Sequence, residues 1–178
     1  SGNAFRPGDI LNTHKGLTVE IDNTDAECRP LLCDALSMAS SENPELIVDY
    51  ATLTGAARGA VGAEIAAMFC TDDGLSLELT QLGRSEDDTV WPMPLHAGYD
   101  YMLKSNVADL VNSAASPYAG AVTAALFLKR FVDDVPWLHF DVMAFNIRKR
   151  PARPEGGEAM ALRSVYRYLS QRFGDSSE

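Results

Sequence analysis

Apolar and polar positions along the chain switch between two periods. Leu17 to Ile21, with Thr18, Val19 and Ile21 β-branched, predicts a strand. Asn23-Thr24-Asp25 then reads as a helix start. Pro30 suits its first turn, and Leu31, Leu32, Ala35, Leu36 and Ala39 recur at helical spacing. Leu46 to Tyr50 predicts a buried parallel strand, and Thr52-Leu53-Thr54-Gly55 a loop into the small residues Ala56, Ala57, Gly59 and Ala60. Ile65 to Phe69 predicts another strand, and Leu75 to Leu82 a helix closed by Gly83. Pro92 and Pro94 break the chain before a short helical stretch at Tyr99 to Leu103. Ala119 to Val132 predicts an alanine-rich helix, Trp137 to Met143 a strand, and Met160 to Phe173 a final amphipathic helix. Strands alternating with helices predict an α/β fold, with a largely parallel or mixed sheet flanked by helices on both faces in three layers. No repeat or linker divides residues 1–178, so a single domain is expected.

Charge narrows the choice of partners. A net charge of −10 repels a phosphate backbone, so nucleic acid is not an expected partner. The cluster Arg148-Lys149-Arg150 with Arg153 reads as a solvated turn rather than a phosphate site. Cys28, Cys33 and Cys70 have neither disulfide nor zinc-ligand spacing, which suits reduced thiols and a cytoplasmic location. No apolar run is long enough to span a membrane.

Candidate chemistry concentrates in Asn23-Thr24-Asp25-Ala26-Glu27-Cys28-Arg29. A strand end before a helix is where α/β sheets place ligands, and the helix N-terminus favours anionic groups. Asp25 and Glu27 could supply two carboxylates to a hard divalent cation, and Arg29 could hold an anion beside it. The same stretch also fits a capping box, Thr24 covering the amide of residue 27 while Glu27 reaches back. That reading gives Arg29 no task. Cys28 as a nucleophile finds no His nearby in sequence. His139 in its strand reads as a hydrogen-bonded core residue, and Asp109 and Asp141 as groups that orient backbone.

The stretch resembles the signature of the leucyl (cytosol) aminopeptidase family, N-T-D-A-E-G-R followed by Leu or Met, at six of eight positions. Further segments resemble the family in order. They are Ser1 to Asp9, Asp49-Tyr50-Ala51-Thr52-Leu53-Thr54-Gly55-Ala56, Ala108-Asp109-Leu110-x-Asn112, Ala124 to Leu128 and Trp137-x-His139-x-Asp141. The resemblance implies the C-terminal part of a catalytic domain, truncated at its N-terminal side. It implies an aminopeptidase that releases N-terminal amino acids, leucine among them, from peptides by two-metal hydrolysis. Asp25 and Glu27 are then metal ligands to two divalent ions, Mn or Zn. Arg29 is then the catalytic residue that holds bicarbonate as a proton shuttle. Thr52, Leu53 and Gly55 fall in the substrate-binding segment, and a homo-oligomer, a hexamer in the family, is expected.

The family's other ligands, a Lys and two Asp, and its catalytic Lys belong to an upstream K-G-[IV]-x-[FY]-D-[ST]-G-G type segment. No such segment occurs here. Two carboxylates do not complete a dinuclear site, which wants roughly four to six ligands per ion, so the chain alone is expected to be inactive. Cys28 stands where the signature has glycine, Pro30 where it has Leu or Met, and Cys33 where alanine is usual. If that glycine serves a positive φ, Cys28 strains the loop; Pro30 is expected to push Arg29 out of α geometry. The alternative reading is a catalytically lapsed family member that serves as a structural or oligomer-forming subunit.

Overall fold

A computed structural model describes residues 5–24 and 28–174. The chain forms two compact units, one from residues 1–48 and 94–137, the other from 49–93 and 138–178. It passes between them three times, so no linker-like composition marks the boundary.

In the first unit, β1 (Ile10–Asn12) and β2 (Thr18–Glu20) form an antiparallel hairpin, and β6 (Leu110–Val111) pairs in parallel with β2. The hairpin turn places Gly16 at φ 86°, where a side chain would be strained. Helix α1 (Cys28–Ser41) buries Cys33, Leu36, Ser37 and Ser40 on one face. Helix α4 (Gly120–Lys129) is buried at every position from Ala121 to Leu128, as expected of a helix apolar all round. Its alanines let α1 and a 3-10 helix (Ala97–Leu103) approach closely. Lys15 ties the hairpin to the end of α4, bonding the Arg130 carbonyl at 2.8 Å and Asp133 at 2.6 Å.

The second unit is built on a four-stranded sheet ordered β3-β7-β4-β5, namely Ile47–Ala51, Trp137–Asp141, Ala66–Cys70 and Val90–Pro92. β4 runs parallel to β5 and antiparallel to β7, so the sheet is mixed. β7 is buried along its whole length. Pro92 ends the edge strand, the position where a missing amide costs least. Helices α2 (Gly55–Val61) and α3 (Asp73–Ser85) pack on this sheet, and α5 (Leu162–Phe173) packs on α3. The expected α/β class with helix-flanked mixed sheet is the one observed.

Two local expectations are corrected. Gly83 does not close α3, which continues to Ser85. Its missing side chain instead admits the returning chain, since a Cβ there would lie 2.8 Å from the Asp88 carbonyl oxygen. The basic cluster is a solvated turn only in part: Arg148 and Lys149 are exposed about a turn at residues 151–152, while Arg150 and Arg153 are drawn inward. Glu64 takes Arg148 at 2.5 Å and Arg150 at 3.3 Å, and Arg153 is buried against Glu158 at 2.6 Å. These pairs fasten the loop that joins the short strands β8 (Phe145–Asn146) and β9 (Gly156–Gly157). Asn146 closes it from inside, donating to the carbonyls of Arg153 at 2.9 Å and Pro154 at 2.8 Å. Asp88 serves α5 in the same way: its buried carboxylate accepts the amides of Ala161, Arg163 and Ser164, a cap reaching the helix from elsewhere in the chain.

Candidate functional site

Asp25 and Glu27 lie outside the described residues, as does one half of the capping box expected between Thr24 and Glu27. What surrounds them is well defined. Asn112, fully buried just past β6, accepts the amides of Asp22 at 2.9 Å and Asn23 at 3.1 Å on Oδ1. Its Nδ2 donates to the Asn23 carbonyl at 2.7 Å, and its own amide donates to the Glu20 carbonyl at 2.9 Å. On the far side of Glu27, the buried Arg29 donates from Nη1 to the Asn112 carbonyl. One residue therefore holds the chain on both sides of the acidic pair. The register of β2 against β6 supports this anchor. Asp109 takes the Thr18 amide at 2.8 Å and hydroxyl at 2.7 Å, and those bonds hold its carboxyl below the usual aspartate range.

The two departures from the signature are accommodated. Cys28 opens α1, is exposed, and is not among the positive-φ residues, so the strain expected there does not arise. Arg29 is helical despite the proline that follows, contrary to expectation. The bias against α geometry before proline is overridden where first-turn amides have no intrahelical partner to lose and Arg29 is fixed by Asn112. Cys33 is buried and bonds the Pro30 carbonyl at 2.9 Å; burial first, then the neighbouring Asp34, push its thiol up to about 12. Such a thiol is no nucleophile at neutral pH.

The second unit carries the other expected segment. Thr52 is exposed and Leu53 half-buried in the loop between β3 and α2, and exposed Gly55 opens α2. Asp141, buried at the end of β7, accepts the Leu53 amide at 3.0 Å, the Thr54 amide at 3.1 Å and the Thr54 hydroxyl at 2.6 Å. The Thr54 hydroxyl in turn accepts the Ala57 amide at 3.0 Å and caps α2. Thr54 is thus the N-cap of α2. Beside this loop, His139 is fully buried with Nδ1 2.6 Å from Asp49 Oδ1, and Tyr50 stacks on Phe140 with centroids 5.0 Å apart. Burial, then the charges of Asp88 and Asp49, raise the Tyr50 hydroxyl to about 12.

Among the described residues no three His, Cys, Asp or Glu side chains gather as a metal centre requires. Arg29, buried and fixed, suits an anion holder better than a mobile surface arginine would. Asp141 orients backbone as its place in the strand predicts, whereas the anchoring part of Asn112 had no clear sequence signal. Each acts across more than eighty positions, although a lone Asp ending the apolar run Trp137 to Phe140 hints at a buried acceptor.

The sequence is 51% identical over 173 residues to "Probable cytosol aminopeptidase" of Burkholderia ambifaria, covering 97% of this chain and 34% of that protein. It is 47% identical over 174 residues to the protein of the same name from Nitratidesulfovibrio vulgaris, covering 96% of this chain and again 34% of the relative. The chain thus spans about a third of the length of these relatives. The crystal structure of cytosol aminopeptidase from Coxiella burnetii superposes with a TM-score of 0.91 at 51% identity, over 95% of this chain and 37% of that one. The bottromycin maturation enzyme BotP in complex with Mn gives 0.89 at 37% identity, over 96% and 39%. Residues 1–166 match the catalytic domain of the cytosol aminopeptidase family, and the chain belongs to that family.

Proposed function

We propose that this chain supplies part of the active site of a dinuclear-metal aminopeptidase that removes N-terminal amino acids, leucine among them, from peptides. Asp25 and Glu27 are its metal ligands, and Arg29 holds an anion, bicarbonate, that relays a proton. Thr52, Leu53 and Gly55 form the edge along which the peptide lies. Two bound Mn or Zn ions would supply charge to polarise the scissile carbonyl and acidify a water. The chain's own residues do the positioning: Asn112 sets where the acidic pair begins and ends, and Asp141 keeps the 52–55 loop in one shape. That bracketing by Asn112 is the observation that best supports the reading, since a plain helix start has no need of a buried anchor on both sides. By itself the chain lacks activity on this view, because two carboxylates do not complete two metal sites.

The test is a chimera in which this chain replaces the matching third of the Burkholderia ambifaria relative. It should bind about two equivalents of Mn or Zn per protomer and hydrolyse leucine anilide. Asp25→Ala or Glu27→Ala should cost at least about a hundredfold in kcat/KM, roughly the loss of one strong electrostatic contact. A folded chimera that binds no metal would favour a catalytically lapsed family member. Cys28 and Pro30, which replace signature residues, are the observation behind that second reading.

A further inference from the structure

The segment from β8 to β9 turns polar side chains inward: Asn146 and Arg153 are 2% and 8% exposed, whereas Ile147 is 56% exposed. Beneath it lies a cavity, walled on the other side by Glu64, Asp87 and Asp88, that leaves about 30 Å³ in which the centre of a water molecule can lie. Asn146 and Arg150 both line this space, and each brings a buried polar atom that meets no hydrogen-bond partner within the chain, Asn146 Oδ1 and Arg150 Nε. Their other groups are engaged. Asn146 Nδ2 serves two carbonyls, which fixes the amide's orientation, and Arg150 Nη1 reaches Glu64 at 3.3 Å. Orphaned buried polar atoms are rare in folded chains, because each has given up its hydration for nothing.

Charge and size decide what fits. One orphan donates and the other accepts, so the occupant must do both. A cation would sit against the guanidinium groups of Arg150 and Arg153, and an anion against the carboxylates of Glu64, Asp87, Asp88 and Glu158. A neutral dipole avoids both conflicts. Each water takes on the order of 10–15 Å³ of such space, so about two fit and an organic ligand of ordinary size does not. We propose that the cavity is a hydration site in which a buried water accepts from Arg150 Nε and donates to Asn146 Oδ1. The Thr89 hydroxyl and the carboxylates of Glu64 and Glu158, also in the walls, supply partners for a second. With the Arg150–Glu64 pair and the 2.6 Å pair of Arg153 with Glu158, the bridging water completes a polar clasp on the segment. A segment held this way opens before the apolar sheet beside it. All these groups belong to the second unit, and the site needs no metal, so it stands whether or not the chain serves a peptidase.

Crystals of the 178-residue chain test the occupant directly. Density should show a water within hydrogen-bond distance of both Arg150 Nε and Asn146 Oδ1. Soaks in rubidium chloride and in sodium bromide should leave no anomalous peak there. A rubidium peak would make the cavity a cation site and a bromide peak an anion site, and either overturns the proposal, as does a dry cavity. In solution, the Arg150 Nε proton of isotope-labelled chain should show water cross-peaks of opposite sign in NOE and ROE spectra, the mark of a held water rather than of proton exchange. Peaks of the same sign, or none, overturn it too. Arg150→Lys keeps a cation beside Glu64 and removes the Nε donor. It should lose the water and speed exchange of the Glu158 amide, bonded to the Ala144 carbonyl at 3.1 Å, about tenfold while β4 stays protected. A water that persists in this variant, or an unchanged Glu158 rate, would show that the bridge does not hold the segment.

Discussion

The carboxamide of Asn112 grips Asn23 from both sides of one residue, accepting its amide at 3.1 Å and donating to its carbonyl at 2.7 Å. A side chain used this way stands in for a strand partner: it satisfies backbone groups that no ladder reaches at the point where β2 ends. Replacing it with alanine leaves the amides of Asp22 and Asn23 and the Asn23 carbonyl without that partner in a part-buried place. The expected cost is about 2–3 kcal/mol. For a chain of this size that lowers the thermal midpoint by roughly 5–10 °C. Asn112→Asp keeps the acceptor and loses the donor, so it should fall between wild type and alanine. Melting curves followed by circular dichroism check the order, and alanine melting like wild type refutes the anchor.

Asp141 plays the corresponding part for the 52–55 loop, through charge-assisted bonds to two amides and a hydroxyl. Asp141→Ala should cost about 3 kcal/mol, toward the upper end for bonds to a buried charged group. Thr54→Val, which removes the 2.6 Å bond and the α2 cap together, should cost about 1–2 kcal/mol. Hydrogen exchange gives the sharper readout. Protection of the Leu53 and Thr54 amides should collapse in Asp141→Ala while β4 stays protected. Equal loss at both places would mean that Asp141 supports the whole unit rather than the loop.

Long, strongly patterned elements were legible in the sequence. The buried strands β4 and β7 and the helices α3, α4 and α5 announce themselves by apolar run or by helical spacing. The strands β1, β6, β8 and β9 do not, because two or three residues are too few to display a period of two. Gly83 misleads for a physical reason: a glycine that ends a helix and one that admits a neighbouring backbone look alike in one dimension. At the candidate site, the order Asn23 to Arg29 marks the place, and resemblance supplies roles for its side chains. Its support is non-local. No spacing rule links Asn112 to Arg29 or Asp141 to Thr54, since those bonds exist only once the chain has folded back across more than eighty residues.

Acid should weaken the fold through two surface pairs. Arg148, hydrogen-bonded to Glu64, holds that carboxyl below its usual 4.5, and Lys15 holds Asp133 below 3.8. A carboxyl depressed in the folded state binds its proton more tightly once unfolded. Its stabilisation is therefore present above the unfolded value and is lost as pH falls through the folded one. Loss should begin below about pH 4.5 for Glu64 and below about 3.8 for Asp133, and be smaller at high salt because both pairs are screened. Urea titrations across this range should show a shallower acid limb in Glu64→Gln and in Asp133→Asn. An acid limb unchanged in both variants would place the loss elsewhere.

Alkali acts with the opposite sign, and the thiols report it. Burial raises Cys33 from 9.0 to about 12 and Tyr50 from 10.0 to about 12. Each group keeps its proton in the folded chain at a pH where the unfolded chain has released it. Their contribution is whole below about pH 9, declines from there for Cys33 and from about 10 for Tyr50, and is gone near 12. Cys33→Ala should therefore flatten the decline that begins near pH 9, even though it also opens a small cavity. Reaction with a chromogenic disulfide at pH 8 separates the cysteines without unfolding the chain. Exposed Cys28 should react first, and Cys70, whose thiol burial also raises, more slowly. Cys33 should react only as fast as the chain unfolds, so adding denaturant should accelerate Cys33 far more than Cys28. Fast labelling of Cys33 in the native chain would show that the inner face of α1 opens readily, and that Arg29 and Pro30 in its first turn are not held as firmly as their burial implies.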